Sequence, residues 1–313
     1  MSDATRLHNL LNAYWLRPET ALWRALDMRA MEVFEFDAPS LEVGCGDGVY
    51  SFLRAGGEFE PRFDVFQAVA ELDKYFQKVD VYDSVRGFVQ PTVVRGPDYR
   101  ISMGVDHKAN LLHKASSLDL YEELKVADAN QRLPFADSSY ASIFSNIVYW
   151  LDDPFKAIRE IGRVLKPNGR CCLMLPNTTF RDFSFYVRLC LRPGDKRYEF
   201  LEMLDRGRMT DNVRHARPDA AWREVFSAAG LSVVGHRRHL SRAVVEMWDI
   251  GLRPIFPSLK QMVDKLEEAD VARIKGEWVS VFEHFLSPFL ELDQSLSKDA
   301  EPAFHCYTLE KAG

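Results

Sequence analysis

Apolar positions in the first forty residues recur at helical spacing. Leu7, Leu10, Leu11, Tyr14 and Trp15 share one face, Pro18 interrupts, and Leu22 to Val33 resume the pattern, so residues 1–38 are expected to form a helical cap. The texture then changes. Leu41-Glu42-Val43 reads as a short buried strand, Gly44-Cys45-Gly46-Asp47-Gly48 as a tight turn, and Val49 to Leu53 as the start of a helix. Residues 56–98 break the simple alternation. Val65, Val69, Leu72, Phe76 and Val79 mark one helical face, and Pro91, Gly96 and Pro97 are loop-like, so this stretch reads as an insertion rather than a domain.

Strand and helix patterns then alternate. Strands are expected at Tyr99 to Val105, Leu124 to Ala127, Tyr140 to Ser145 and Arg170 to Leu175, and helices at Ala109 to Leu124 and from Asp153-Pro154 to Leu165. Asp153 is placed to cap the second helix, and Lys166-Pro167-Asn168-Gly169 closes it with a turn. Farther on, Ala220 to Ala229 is helical with Gly230 as its stop, Leu231 to His236 is a strand, and Leu259 to Leu266 and Ile274 to Phe289 trace amphipathic helices. Ala303 to Leu309 alternates as a closing strand. Such alternation implies an α/β domain of the Rossmann-like, doubly wound kind, its sheet mostly parallel. The whole chain, 1–313, is read as one domain, with residues 178–219 and 242–301 as helical lids or insertions.

Composition narrows the function. At 47% hydrophobic and 27% charged residues the chain is ordinarily globular, and a net charge of −6 disfavours nucleic acid as a partner, since phosphate neutralisation needs a basic face. The charged start lacks the apolar core of a signal peptide, and no membrane-spanning run is present. Five cysteines, Cys45, Cys171, Cys172, Cys190 and Cys306, form no CxxC pair, which suits reduced thiols, a cytoplasmic location and no bound metal.

The chemistry concentrates in Leu41 to Gly48. Alternate glycines after a strand allow a sharp turn and close approach of a ligand. Dinucleotide sites use similar glycines, but the acid Glu42 ahead of them would repel a pyrophosphate and suits a cationic sulfonium and ammonium. Asp106 ends the second main strand, Asp128 the third, and Asn146 follows the fourth, all at the carboxyl edge where open α/β sheets bind ligands.

The stretches LEVGCGDG, GVD, VADANQRLPF, SNIVYWLDDP and REIGRVLKPNGR, taken together from Leu41 to Asn177, resemble the class I S-adenosylmethionine-dependent methyltransferases of the type 11 group. The resemblance implies a seven-stranded sheet whose last strand runs antiparallel at the edge. It implies that Gly44, Cys45, Gly46 and Gly48 line the methionine moiety of S-adenosylmethionine with Glu42 supporting its amine. Asp106 would hold the ribose, Asp128 the adenine amine, and Asn146 would lie near the methyl donor. Two features depart from the pattern. The spacing from Gly48 to Asp106 is long, with Asp80 and Asp83 as competitors, and Tyr149-Trp150 stands where many relatives carry a histidine.

The catalytic base is therefore open, with His215 and Tyr149 as candidates. Arg208, Arg214 and Arg217, in an arginine-rich connection, are candidates to bind the acceptor, because guanidinium forks suit carboxylates and phosphates. The expected activity is methyl transfer to an oxygen or nitrogen of a small molecule, anionic or sugar-containing, by a monomer or homodimer. The alternatives are a macromolecular acceptor or a silent cofactor-binding subunit.

Overall fold

The computed structural model describes residues 2–66, 69, 90–190, 197 and 213–313. The inserted helix expected from Leu72 to Val79, and the residues Asp80, Asp83 and Arg208, lie outside them.

The chain opens with helices α1 (Asp3–Ala13) and α2 (Pro18–Ala30). Ser2 caps α1 by accepting the Thr5 amide, and Pro18 starts α2 where its missing N–H costs nothing. Their apolar faces, Leu7, Leu10, Leu11, Leu22 and Leu26 among them, are wholly buried, so the expected cap is part of the core. Strand β1 (Ser40–Val43) leads through the glycine turn into α3 (Val49–Arg54). The ends of the insertion pair as a small antiparallel ribbon, β2 (Glu58–Phe59) with β3 (Val93–Arg95).

The main sheet continues with β4 (Ile101–Asp106), helix α4 (Ala109–Ala115), β5 (Tyr121–Val126), β6 (Tyr140–Ser145), α5 (Pro154–Val164) and β7 (Leu165–Pro176). Asp153 caps α5, its carboxylate accepting the Phe155 and Lys156 amides at 2.9 Å each. Short helices α6 (Thr179–Phe183) and α7 (Phe185–Cys190) follow, then α8 (Asp219–Ala228), β8 (Leu231–His239), α9 (Arg242–Ile250), α10 (Phe256–Val263), α11 (Glu268–Asp299) and β9 (Phe304–Lys311).

Strand order is β5-β4-β1-β6-β7-β9-β8, parallel from β5 to β7 and antiparallel on both sides of β9. The last strand is antiparallel as expected, but it does not lie at the edge. β9 is threaded between β7 and β8, which matches its burial: Phe304, His305, Cys306, Tyr307 and Leu309 are all covered. The order reverses at β1, the switch point where a crevice opens beyond the carboxyl ends of the strands.

Other boundaries moved for physical reasons. The helix expected to reach Leu124 stops at Ala115, passes through a 3-10 turn at Ser116–Leu118, and gives way to β5 at Tyr121, not Leu124. β5 is an edge strand with Glu122, Glu123 and Lys125 in solvent, so its polar-rich pattern mimics a helix exterior. β8 runs on to His239, three residues past the expected end, because it pairs with β9 along that length. β7 begins at Leu165 and carries the expected turn residue Asn168 at φ 61° within it. α11 spans 32 residues and includes Pro288.

Candidate active site

The glycine turn is held by backbone bonds to the neighbouring strand. The Gly44 and Cys45 amides donate to the Val105 carbonyl at 2.8 and 3.0 Å, and the Gly46 amide donates to Asp106 Oδ2 at 3.0 Å. Gly44, Gly46 and Gly48 all have left-handed φ values, 78°, 57° and 75°. A Cβ on Gly44 would stand 2.1 Å from the Ile147 side chain, whereas one on Gly46 would meet nothing within 4 Å. Gly44 is thus a packing glycine, and Gly46 borders open space.

Glu42 sits below the turn, 4% exposed. Ser51 and Tyr121 hydroxyls donate to its two oxygens at 2.7 and 2.9 Å, tying α3 and β5 to β1. Burial raises its pKa to about 7, with the two hydroxyls and Arg54 opposing the rise. Glu42 therefore contributes a fall in stability as pH rises from about 4.5 to 7, because the folded chain keeps its proton longer. Asp64, also raised to about 7 by burial, adds to the same slope. His305, pushed down to about 3 chiefly by burial, contributes a rise between about pH 3 and 6.5. Glu42→Gln should lose less melting temperature between pH 5 and 8 than the wild type; equal losses would show that Glu42 does not titrate there.

Asp106 is nearly buried, and its carboxylate also accepts the Lys108 amide at 2.9 Å. Asp128 follows β5 on the same edge, exposed, with its carboxylate closing a turn onto the Asn130 amide. Asn146 follows β6, half-buried, one residue before the Ile147 that packs on Gly44. The structure thus brings Glu42, Gly44, Cys45, Gly46, Gly48, Asp106, Asp128 and Asn146 to the carboxyl ends of adjacent strands β1, β4, β5 and β6. Cys45 is buried, and burial first, then Glu42 and Asp106, push its thiol well above the ordinary range, so it is no nucleophile.

Helix α2 roofs this edge. Arg24 lies over the Tyr50 ring at the start of α3, and Trp23 packs against Phe304 and Phe180. Tyr149 is buried against Phe304, ring centres 5.4 Å apart, and burial raises its hydroxyl above the usual tyrosine range, which argues against a base. Tyr14 and Trp15 are packing residues, Tyr14 edge-on to Phe66.

His215 lies half-buried beside Arg214, with the Arg214 Nε to His215 Nε2 distance 2.8 Å; burial, then Arg214 and Arg217, lower its pKa. Arg214 reaches Asp152 at 3.7 Å and the Leu151 carbonyl, and Arg217 stacks on Phe155. These candidates therefore adjoin the loop after β6.

One constellation escaped the sequence reading. At the carboxyl end of β8, His239 Nε2 lies 3.1 Å from Asp27 Oδ1, with both residues almost fully buried. Arg24 holds the other Asp27 oxygen at 3.2 Å. An ionised carboxylate only accepts, so Nε2 carries a proton, and in the neutral imidazole Nδ1 then presents a lone pair. That Nδ1 is buried without a hydrogen-bond partner among the described residues. The imidazole is 6.2 Å from the Phe304 ring, which touches Tyr149, so the dyad shares the edge that Asn146 borders. The two residues are 212 positions apart, which leaves no local motif. The one available signal was a histidine ending a strand at the ligand-binding edge.

The site is thus a switch-point glycine turn preceded by a buried acid, with carboxylates at the ends of the next two strands. Residues 88–173 match the family model described as a methyltransferase domain, and the match supports a class I S-adenosylmethionine-dependent methyltransferase. The chain is similar to a malonyl-[acyl-carrier protein] O-methyltransferase of Coxiella burnetii, 32% identical over 120 residues, covering 38% of this chain and 39% of the relative. It is also similar to a ubiquinone/menaquinone biosynthesis C-methyltransferase of Desulfotalea psychrophila, 38% identical over 133 residues, covering 41% and 51%. The chain thus spans about half or less of these relatives. Among solved structures, the [4+2]-cyclase SpnF aligns with a TM-score of 0.47 at 16% identity, covering 96% of this chain and 83% of that one.

The residues present fit the family's cofactor. The open space at Gly46 admits a ligand close to backbone, and the Asp106 carboxylate stands beside it, bound to the Gly46 amide. Among the described residues no helix is long and apolar enough to cross a membrane.

Proposed function

We propose that this chain transfers the methyl group of S-adenosylmethionine to a hydroxyl of a small molecule, with His239 taking the hydroxyl proton. The observation that carries the acceptor chemistry is the unpartnered Nδ1 of His239, oriented by Asp27 at the edge that borders Asn146. The cofactor, when bound, supplies an electrophilic methyl on a sulfonium. The chain's residues do the rest. Gly44 to Gly48 and Asp106 position the donor, α2 and the aromatic side chains of Trp23, Tyr149 and Phe304 keep water away, and Asp27 fixes the His239 tautomer. Proton removal by a positioned base is worth about 10²–10⁴-fold in rate.

Asp106 is proposed to hold the ribose while fastening Gly46. Asp106→Ala should weaken S-adenosylhomocysteine binding by roughly 1.5–3 kcal/mol, the value of a hydrogen bond to a charged group. Unchanged affinity in calorimetry would move the ribose ligand elsewhere in the chain.

An amine loses its proton without a built base, whereas an alcohol or phenol generally needs one. Labelled-methyl transfer should therefore be screened over paired phenols, hydroxy acids and amines of equal frame. The reading predicts turnover of hydroxyl members, and amines alone turning over would contradict it. Arg214 and Arg217 support an anionic group on that acceptor. Their alanine variants should raise its KM and leave cofactor affinity unchanged; a KM unaltered in both would remove the anionic specification.

A further inference from the structure

Helix α11 carries an apolar stripe that the fold does not use. Val281 is 64% exposed, Phe285 53%, Leu292 41% and Leu296 40%, and Pro288 between them is exposed as well. Spacings of four, three, four and four residues keep all five within roughly 80° of the helix circumference. The stripe runs for about 22 Å at 1.5 Å per residue. A monomer's scattered exposed apolar residues would carry no message, but a continuous line along one helix does.

We propose that this stripe is the contact of a homodimer in which two copies of α11 pack antiparallel about a twofold axis between residues 288 and 289. The stripe is self-complementary about that point. Val281 of one copy faces Leu296 of the other, Phe285 faces Leu292, and Pro288 sits at the centre. An isologous contact requires this kind of palindromic match.

The flanking charges obey the same symmetry. On the side of the helix away from the protein body the exposed sequence is Arg273, Glu277, His284, Glu291 and Lys298. The twofold brings Glu277 toward Lys298 and His284 toward Glu291, each pair within two residues of exact opposition, about 3 Å along the axis. Neither Glu291 nor Lys298 has an ion-pair partner among the described residues of its own chain, whereas Glu277 is held only by Arg273 at 3.0 Å.

A lipid surface is the less favoured occupant. Glu277 and Glu291 offset Arg273 and Lys298 beside the stripe, and the chain is net −6, so this face has no basic excess to hold an anionic bilayer. The contact is also modest. Two helices touching over about 22 Å bury less than the roughly 800 Å² per partner of a standard stable interface, so the dimer should dissociate in the micromolar range.

Sedimentation velocity of the full chain from about 1 to 200 μM should therefore show a reversible monomer–dimer equilibrium. Phe285→Glu and Val281→Glu should each give monomer throughout, with the melting temperature kept, because both side chains are more than half exposed. Lys298→Glu should weaken the dimer at least several-fold, and adding Glu277→Lys should restore it. Mild oxidation should cross-link Pro288→Cys to itself and leave Val281→Cys single, since only the centre meets its own copy in an antiparallel pair. A chain that stays monomeric at every concentration, or a dimer that survives Phe285→Glu, overturns the proposal. Flotation with phosphatidylcholine–phosphatidylglycerol vesicles, lost in Phe285→Glu while the chain remains monomeric, would also overturn it and make the stripe a lipid face.

Discussion

Gly46→Val is expected to abolish S-adenosylmethionine binding while the fold survives. The backbone at Gly46 sits at φ 57°, a region that costs an L-residue about 1–2 kcal/mol, and a β-branched side chain more. In the protein itself a Cβ here meets nothing, so the added side chain would project into the space the ligand needs. Together these should weaken binding by at least about 100-fold, or 2.7 kcal/mol. Gly44→Val is the control that should behave differently. There the new Cβ would collide with Ile147, so the melting temperature itself should fall. Calorimetry with S-adenosylhomocysteine and a thermal melt separate the two outcomes. Undiminished affinity in Gly46→Val would mean that the ligand does not lie against this turn.

His239→Ala is expected to lower kcat by about 10²–10⁴-fold with little change in cofactor affinity. The lone pair on Nδ1 is the group removed; His305, whose Nε2 is also buried without a partner among the described residues, is bound through Nδ1 to His236 at 3.0 Å instead of to a carboxylate. Asp27→Asn should also lower kcat, because a neutral amide can offer an N–H where the carboxylate accepted one and so favour the wrong tautomer. Its effect on melting should exceed that of His239→Ala, since Arg24 also depends on the Asp27 carboxylate. Added imidazole should partly restore turnover of a hydroxyl acceptor in His239→Ala. A variant with normal kcat, or one whose loss is confined to stability and ignores imidazole, would reduce the dyad to a structural pair.

The two halves of the candidate site were unequally legible. The candidate donor half lies within the run from Leu41 to Asn146, where Gly44, Asp106, Asp128 and Asn146 each end a strand or follow within two residues of one. Strand periodicity therefore pointed at these four together. The acceptor half is assembled from elements far apart in the chain. Asp27 comes from a cap helix whose pattern reports only its buried face, and His239 from a strand whose last residues, Arg237, Arg238 and His239, look like the polar end of a loop. Their meeting is a consequence of β8 pairing in full with β9, which the pattern of either strand alone does not contain. The position of β9 was misplaced for a related reason. Alternation in Phe304 to Leu309 marks a strand, but only its burial on both sides reveals that it has two neighbours. The early end of α4 is of another kind. Asp119 adopts a left-handed conformation at φ 52° and turns the chain into β5, and an aspartate in that role is indistinguishable in sequence from one on a helix surface.

The central claim is that the glycine turn at the switch point binds S-adenosylmethionine. Isothermal titration of the chain with S-adenosylhomocysteine, alongside NAD at equal concentration, tests it most directly. The account predicts one saturable site for S-adenosylhomocysteine, lost in Gly46→Val, and no heat of binding for NAD. Binding of NAD with silence toward S-adenosylhomocysteine would contradict it.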